Sequence, residues 1–246
     1  MAYGRGGERR QNGSGDERSS DERGRDREAR RSEEKKEMLK AWEPKTTLGK
    51  EVKAGKVTSI SQIFHSGRKI EEPEIIDVLL PNLKDEVIEI GRVQRMTKNN
   101  RKMKFRIVAI VGDGNGHVGI GAGKDIEVKA AIQRAVENAK DSIIPVLMGC
   151  GSWQCGCGTH HSIPVIVRGQ CSGTTVILKP APRGLGIVAS KPVKKMLELA
   201  GINHILSFSK GTTKSRYNTL MAVYRALGSM NKMKNTGDMK LGAIQK

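Results

Sequence analysis

Residues 91–123 read GRVQRMTKNNRKMKFRIVAIVGDGNGHVGIGAG. The first part, 92–106, holds seven Lys and Arg side chains and no acidic one, and an apolar segment with a Gly-rich turn follows directly. That segment predicts two strands, 103–112 and 117–121, around the turn. A row of like charges repels itself unless a polyanion neutralises it, and a phosphate backbone does so while releasing condensed counterions. The stretch therefore predicts a rigid, positively charged hairpin that contacts nucleic acid.

The segments on either side of this hairpin predict a small α/β domain. Residues 74–80 are typical of a helix between two prolines, and residues 85–94 alternate apolar and polar side chains as a half-buried strand does. Asp125 is a plausible N-cap for a long helix. Spacing by three and four predicts one buried face of that helix, formed by Val128, Ala131, Ile132, Ala135, Val136, Ala139 and Ile143. We expect three strands with a helix across one face.

A second α/β segment follows a loop rich in Gly, Cys and His. It predicts strands at 163–168 and 174–179, a helix near 192–200 and a last helix over 216–227. The fold class is α+β. The predicted divisions are a charged N-terminal tail 1–41, an N-terminal extension 42–73, a first domain 74–148, a Cys/His loop 149–162, a second domain 163–228 and a basic tail 229–246.

Charge is spread unevenly along the chain. There are 44 Lys and Arg against 26 Asp and Glu, a formal charge of +18, but residues 1–40 are nearly balanced, so the excess lies in the folded part. The tail has almost no apolar side chains and is expected to be disordered in isolation. Only three Phe, three Tyr and two Trp occur, which disfavours base stacking and favours contact with backbone phosphates.

The sequence contains no stretch of about 20 apolar residues for a membrane span and no apolar core of a signal peptide. Four Cys in a chain of this size do not indicate a secreted disulfide scaffold. A cytoplasmic protein without membrane contact is the expectation.

Three cysteines and two histidines are clustered in the Cys/His loop. The candidate metal ligands are Cys150, Cys155, Cys157 and either His160 or His161. Three thiolates and an imidazole complete the tetrahedral shell of a structural zinc ion. The Cys-x-Cys step differs from the usual Cys-x2-Cys knuckle, so a loop of reduced, unliganded cysteines stays open as the alternative. Cys171 is expected to be a separate, partly buried thiol.

Residues 114–119, GNGHVG, spell a literal G-x-G-x-x-G after a strand. In a dinucleotide fold the third Gly opens a helix, whereas here Gly119 precedes a segment that is still strand-like. We therefore favour a hairpin turn over a nucleotide-dependent enzyme. No nucleophile, base and orienting group stand together in the sequence, so catalysis is not expected.

The strings VGDGNGHVGIGAGK (111–124) and KPAPRGLGIVAS (179–190), followed by LELAGI (197–202), are also informative. In this order they closely resemble the universal small-subunit ribosomal protein S5 family, over about residues 42–227. The leading WEPKTTLGKEVKAGKVTSI (42–60) and the insert CGSWQCGCGTHH (150–161) resemble its archaeal branch, because bacterial members lack such an insert.

The resemblance implies a double-stranded-RNA-binding-like first domain and a βαβ-type second domain. It implies a structural constituent of the cytoplasmic ribosome that binds small-subunit rRNA and neighbouring ribosomal proteins, is not a homo-oligomer, lies by the channel through which mRNA enters, and supports decoding accuracy. The expected rRNA contacts are Arg92, Arg95, Lys98, Arg101, Lys102, Lys104, Arg106, Lys124 and Arg183. A free-standing double-stranded-RNA-binding regulatory module is the alternative.

Overall fold

Three short helices precede the first sheet in the computed structural model, which describes residues 42–233 and 240–241. They are α1 Thr47–Lys53, α2 Ile60–Ser66 and α3 Pro73–Leu79. Thr46 caps α1 by accepting a hydrogen bond from the Gly49 amide. Helix α3 begins at a proline, whose missing N–H costs nothing in a first turn. The helix predicted at 74–80 is therefore confirmed one residue earlier.

The first sheet contains the predicted hairpin. Its strands are β1 Lys84–Met96, β2 Arg101–Gly112, β3 His117–Asp125 and β4 Ile144–Pro145, paired antiparallel in that order. The three predicted strands are confirmed, and the two-residue β4 adds a short edge. β1 and β2 extend further toward their connecting turn than the sequence pattern indicated, since pairing continues to Met96 opposite Arg101.

Helix α4, Val128–Asp141, crosses one face of this sheet. The predicted N-cap was wrong: Glu127 occupies that position, and Asp125 is still paired with Phe105 of β2 at the end of β3. The predicted buried face is confirmed at its centre, where Ala131, Ala135 and Ala139 are fully buried. Small residues are required there because α4 lies directly on the glycines of β3, and a Cβ atom at Gly121 would stand 2.2 Å from the Ala135 carbonyl oxygen.

The second half of the chain forms a four-stranded sheet backed by two helices. Its elements are β5 Leu147–Met148, β6 Val167–Cys171, β7 Thr174–Pro180, β8 Ile187–Val188, α5 Lys191–Leu199, β9 Ile205–Gly211, α6 Arg216–Met230 and β10 Lys240–Leu241. The order in the sheet is β6-β7-β9-β8, and β8 and β9 are parallel with α5 between them. This confirms the predicted βαβ unit.

The C-terminal segment differs from the loose tail predicted over 229–246. Helix α6 continues to Met230, and β10 pairs antiparallel with β5. Backbone pairing there gives the segment a place in the fold that its polar composition did not indicate. The other residues of that tail after 233, and the charged tail 1–41, lie outside the described residues.

The two sheets share one hydrophobic core. Val108 and Ile110 of β2 belong to the same buried cluster as Leu178 of β7, Leu197 of α5 and Leu227 of α6. The opposite face of β2, with Ile107 and Ala109, packs on α4. The base of the hairpin is thus held on both faces, which completes the predicted α+β architecture. Among the described helices none has the length and apolar character of a membrane span.

Candidate nucleic-acid interface and metal centre

The distal part of the hairpin projects beyond the first sheet. β3 pairs with β2 only from Phe105 onward, so residues 93–96 and 101–104 form a two-stranded segment, called the ribbon here. Four residues at about 3.4 Å each give it a length of about 14 Å. Its tip is ordered by local hydrogen bonds: Thr97 N donates to Asn100 O at 2.9 Å, and Arg101 N donates to Asn100 Oδ1 at 2.7 Å.

The strand register distributes the ribbon's cations over two faces. Arg95 stands directly opposite Lys102, and Lys104 follows on the same face. Arg101 lies on the other face, opposite Met96. Like charges placed directly across a sheet are destabilising. Within the described residues none of these four cations forms an ion pair with a carboxylate, so the ribbon carries an uncompensated positive charge.

Apolar side chains accompany these charges. Met96 is 68% exposed, and Ile90, Val93 and Met103 are exposed as well. These side chains were not predicted to be functional, although the alternation of β1 contains the signal. An exposed strand pair that is both cationic and apolar is suited to close contact with another molecule rather than to open solvent.

The other predicted RNA contacts lie in three places. Arg92 and Lys98 are exposed on the hairpin. Arg106 is half-buried with its guanidinium 4.8 Å from the centre of the Tyr217 ring, and the exposed Lys124 stands opposite it across the sheet. Arg183 is exposed in the turn after β7. Eight of the nine predicted contacts thus belong to the first sheet and its hairpin, whereas Arg183 lies on the second sheet's connection.

The glycine turn between β2 and β3 joins the two halves of the fold. Gly114 N donates to Leu199 O at 2.9 Å, and Gly116 N donates to Ala200 O at 3.0 Å, so the turn satisfies carbonyl groups at the end of α5. Gly201 has φ +84°, and a Cβ there would stand 2.1 Å from Gly114 O. These two amides are committed within the protein. The G-x-G-x-x-G string therefore connects the two halves of the fold by hydrogen bonds and is not a phosphate-binding loop.

Asp113 and His117 lie at the two ends of the same turn. The His117 Nδ1 to Asp113 Oδ2 distance is 2.7 Å, and the two side chains are only 7% and 6% exposed. Burial opposes ionisation of Asp113, but the hydrogen bond and charge of His117 outweigh it and hold the pKa of the carboxyl below its usual value. The His117 ring also stacks on Phe64, with centroids 6.1 Å apart. The Asp113–His117 pair stabilises the conformation of the glycine turn.

The Cys/His loop is closed at its base by backbone pairing. Gly149 N donates to Ser162 O at 2.9 Å, and Ser162 N donates to Gly149 O at 3.0 Å. The loop between them contains no helix or strand. Ser162 Oγ accepts a hydrogen bond from Ala181 N, which attaches the end of the loop to β7's continuation.

The sulfur atoms of the Cys/His loop converge on one histidine. Cys155 Sγ lies 3.1 Å from Cys157 Sγ and 3.7 Å from His161 Nε2, and Cys157 Sγ lies 3.6 Å from Cys150 Sγ. All four ligand atoms are within 4.8 Å of one another, and the set can hold a metal ion. Zn–S bonds of about 2.3 Å in a tetrahedron separate ligand atoms by roughly 3.8 Å, so the group is close to a zinc shell in size.

The structure also separates the two candidate histidines. His161 directs Nε2 at the thiols, and its ring packs edge-on against His204 with centroids 5.1 Å apart. Its carbonyl accepts hydrogen bonds from the amides of Asn203 and His204, which fixes the residue against the loop that precedes β9. His160 is outside the cluster. Cys171, at the end of β6, is a free, partly buried thiol outside the cluster as well.

The cysteines differ in their surroundings. Hydrogen bonds from Thr159 lower the pKa of the Cys157 thiol to about 5, whereas burial and the neighbouring thiols raise the pKa of Cys150. Metal ligation requires thiolates, because the deprotonated sulfur is the form that coordinates. The Cys157 environment favours that form.

Comparison with known proteins identifies the family. Residues 83–147 match the model described as ribosomal protein S5, N-terminal domain, and residues 169–240 match ribosomal protein S5, C-terminal domain. The first match contains the hairpin and α4, and the second contains the βαβ unit and α6.

Similar archaeal proteins cover most of the chain. A protein of Aeropyrum pernix is 49% identical over 189 residues, which is 77% of this chain and 87% of the relative. Proteins of Methanoregula boonei and Methanocaldococcus jannaschii are each 48% identical over 190 residues, 77% of this chain, and cover 93% and 88% of the relatives. All three are named small ribosomal subunit protein uS5. With both S5 domains in place and relatives that are aligned through nearly their whole length, this chain belongs to the ribosomal protein S5 family.

Proposed function

We propose that this chain is a structural, non-enzymatic constituent of the small ribosomal subunit and that it binds rRNA through the ribbon. One observation carries the proposal: Arg95, Lys102 and Lys104 stand side by side on one face of a projecting strand pair without a described carboxylate partner. The names of the similar proteins support the location in the small subunit.

The rRNA is held by its shape and phosphates. The major groove of an RNA helix is too narrow for side chains to read, so recognition of helical RNA relies on backbone contacts. Cations on both faces of a thin ribbon can reach phosphates of two neighbouring RNA segments. Contacts of this kind position the protein without sequence readout.

Sedimentation tests the location. Tagged chain from cells should travel almost wholly with the small subunit, and the Arg101→Glu/Lys102→Glu variant should shift toward the top of the gradient. A wild-type chain that sediments mostly free would instead support a regulatory double-stranded-RNA-binding module.

We propose further, from the family resemblance, that the chain lies by the channel through which mRNA enters and supports decoding accuracy. Lys and Arg side chains of this chain that line such a channel would engage mRNA phosphates without reading bases. Misreading of a near-cognate codon in a reporter, measured in cells that carry Arg101→Gln or Lys102→Gln, should change relative to wild type. Unchanged misreading together with normal subunit assembly would contradict this role.

The Cys/His cluster is proposed to hold one structural zinc ion through Cys150, Cys155, Cys157 and His161. A zinc ion there would supply the cross-link that the loop's backbone lacks, and no position in this set is left for a substrate. The hydrogen bonds from Asn203 and His204 to the His161 carbonyl would connect that cross-link to the segment that enters β9.

Metal analysis tests this proposal with a matched cysteine control. Purified protein should contain about one zinc per chain, Cys155→Ser should lose most of it, and Cys171→Ser should keep it because Cys171 lies outside the cluster. His161→Ala should lose zinc and His160→Ala should retain it. Wild-type protein without zinc would contradict the proposal.

A further inference from the structure

The second sheet has one covered and one uncovered face. Its covered face carries Val176 and Leu178, which are buried against α5 and α6. The alternate residues of the same strands point the other way, and the described residues place no helix over them. The register aligns Arg168, Ile177 and Phe208 across β6, β7 and β9, and Thr175 and Lys210 in the next row. We call this side the open face.

Aromatic side chains are exposed on and beside the open face. Phe208 is 55% exposed, and the Lys179 ammonium lies 5.0 Å from the centre of its ring. Lys179 also lines an open groove of about 490 Å³ together with Trp153 and Leu206. Trp153 is 91% exposed. Lys179 therefore contacts the Phe208 ring and also lines the same groove as Trp153.

The electrostatics of this half of the chain indicate the class of ligand. Between Ser142 and Met233 the sequence holds eleven Lys and Arg side chains and one acidic side chain, Glu198. Glu198 lies on α5, where it is 3.8 Å from Lys194, and strands β6 to β9 contain no Asp or Glu. Arg168, Lys179 and Lys210 are exposed on the open face. Exposed aromatic rings beside cations that form no ion pair within residues 42–233 match a single strand, whose bases can stack and whose phosphates are charged.

We propose that the open face binds an unpaired segment of small-subunit rRNA, with bases stacked on Phe208 and Trp153 and phosphates on Arg168, Lys179 and Lys210. The inference rests on the proposed function and adds a second RNA surface, distinct from the ribbon in its ligand: single-stranded rather than helical RNA. The small number of aromatic residues therefore does not exclude base stacking, because two of the eight, Phe208 and Trp153, are exposed on the surface.

Binding of a fluorescent single-stranded RNA dodecamer to the full chain tests the inference. Phe208→Ala should weaken binding by about 5- to 150-fold, as expected for one lost stacked base. Phe208→Tyr should restore it, because a ring is retained. Arg168→Gln/Lys210→Gln should lower the salt slope by about 1.4, from roughly 0.7 for each single-strand phosphate contact. Val78→Ala, at an exposed apolar residue of α3, and Lys194→Gln are the matched controls and should change neither quantity.

Two further measurements separate this proposal from that of the ribbon and identify the source of the RNA. Phe208→Ala should leave binding to a helical rRNA fragment unchanged, whereas Arg95→Gln/Lys102→Gln should weaken it and leave dodecamer binding nearly intact. A photo-crosslinking residue at position 208 should attach to rRNA in purified subunits. A crosslink to a protein or to mRNA would overturn the proposal, as would unchanged dodecamer affinity in Phe208→Ala and Trp153→Ala.

Discussion

Removing the cross-strand cation pair of the ribbon is the sharpest test of how this protein holds RNA. Arg95 and Lys102 face each other on an exposed strand pair, and neither forms an ion pair with a described carboxylate. Replacing both by Gln should relieve a like-charge contact of about 0.2–1 kcal/mol, so the hairpin should not be destabilised. Any loss of binding then reports on the RNA contact itself.

The size of the effect follows from counterion release. Two phosphate contacts lower the slope of log K against log salt by about 1.8, from roughly 0.9 per contact. If the variant and the wild type bind equally at 1 M salt, this difference in slope makes the variant's affinity at 0.15 M salt about 30-fold weaker, or roughly 2 kcal/mol.

Filter binding to a helical fragment of small-subunit rRNA, over about 0.05 to 0.5 M salt, measures both quantities. Lys191→Gln/Lys194→Gln on α5 removes the same net charge from exposed positions and serves as the control. A slope that is unchanged in the ribbon variant, or changed equally in the control, would show that net charge rather than the ribbon governs binding.

Three further predictions concern the stability of the fold. Gly201→Ala should lower the free energy of unfolding by about 2–4 kcal/mol, because the backbone is left-handed there and the new Cβ meets the Gly114 carbonyl. Gly55→Ala, also at positive φ but with open space around it, should lower that free energy by only about 1–2 kcal/mol, and urea unfolding measures both changes. Asp113→Asn should destabilise the protein at neutral pH, and the difference in stability from wild type should close as the pH falls below about 4. The reason is that folding lowers the pKa of this carboxyl, so its stabilising effect is complete above the pKa of the unfolded chain and is lost as the pH falls through the folded pKa. Melting curves across pH test this, and a stability difference independent of pH would contradict it. Lys140→Ala should cost about 1–3 kcal/mol, because its ammonium is 2.5 Å from Asp77 and both side chains are mostly buried; a melting temperature within error of wild type would contradict that estimate.

Local patterns account for the parts of the fold that were predicted correctly. The alternation in β1, the three-four spacing of alanines in α4 and the proline at the start of α5 each act within a few residues. Where contact with a residue distant in sequence determines the local structure, the observed element differs from the predicted one. Asp125 has the side chain of an N-cap, but pairing with Phe105 keeps it in β3, so the helix starts later.

The candidate site also has some features that the sequence shows and others that depend on the tertiary structure. Seven cations in fifteen residues and three cysteines within eight residues are visible in the order of amino acids. The choice of His161 over His160 was not, because it depends on which ring faces the thiols once the amides of Asn203 and His204, just before β9, have fixed the His161 carbonyl. The open face was missed for a related reason: Phe208 and Trp153 are far apart in sequence, and the fold brings Lys179 against the Phe208 ring and into the groove that Trp153 lines.

The amino-acid sequence by itself determined the strands and helices, the excess of positive charge, the glycine turn and the group of clustered cysteines, because these follow from residue type and short-range spacing. Only the tertiary structure decided which faces are covered, which amides of the turn are already bonded and which histidine joins the cysteines. Those properties depend on contacts between segments that are tens of residues apart, and burial on one side of a strand leaves its other side to solvent or to a partner.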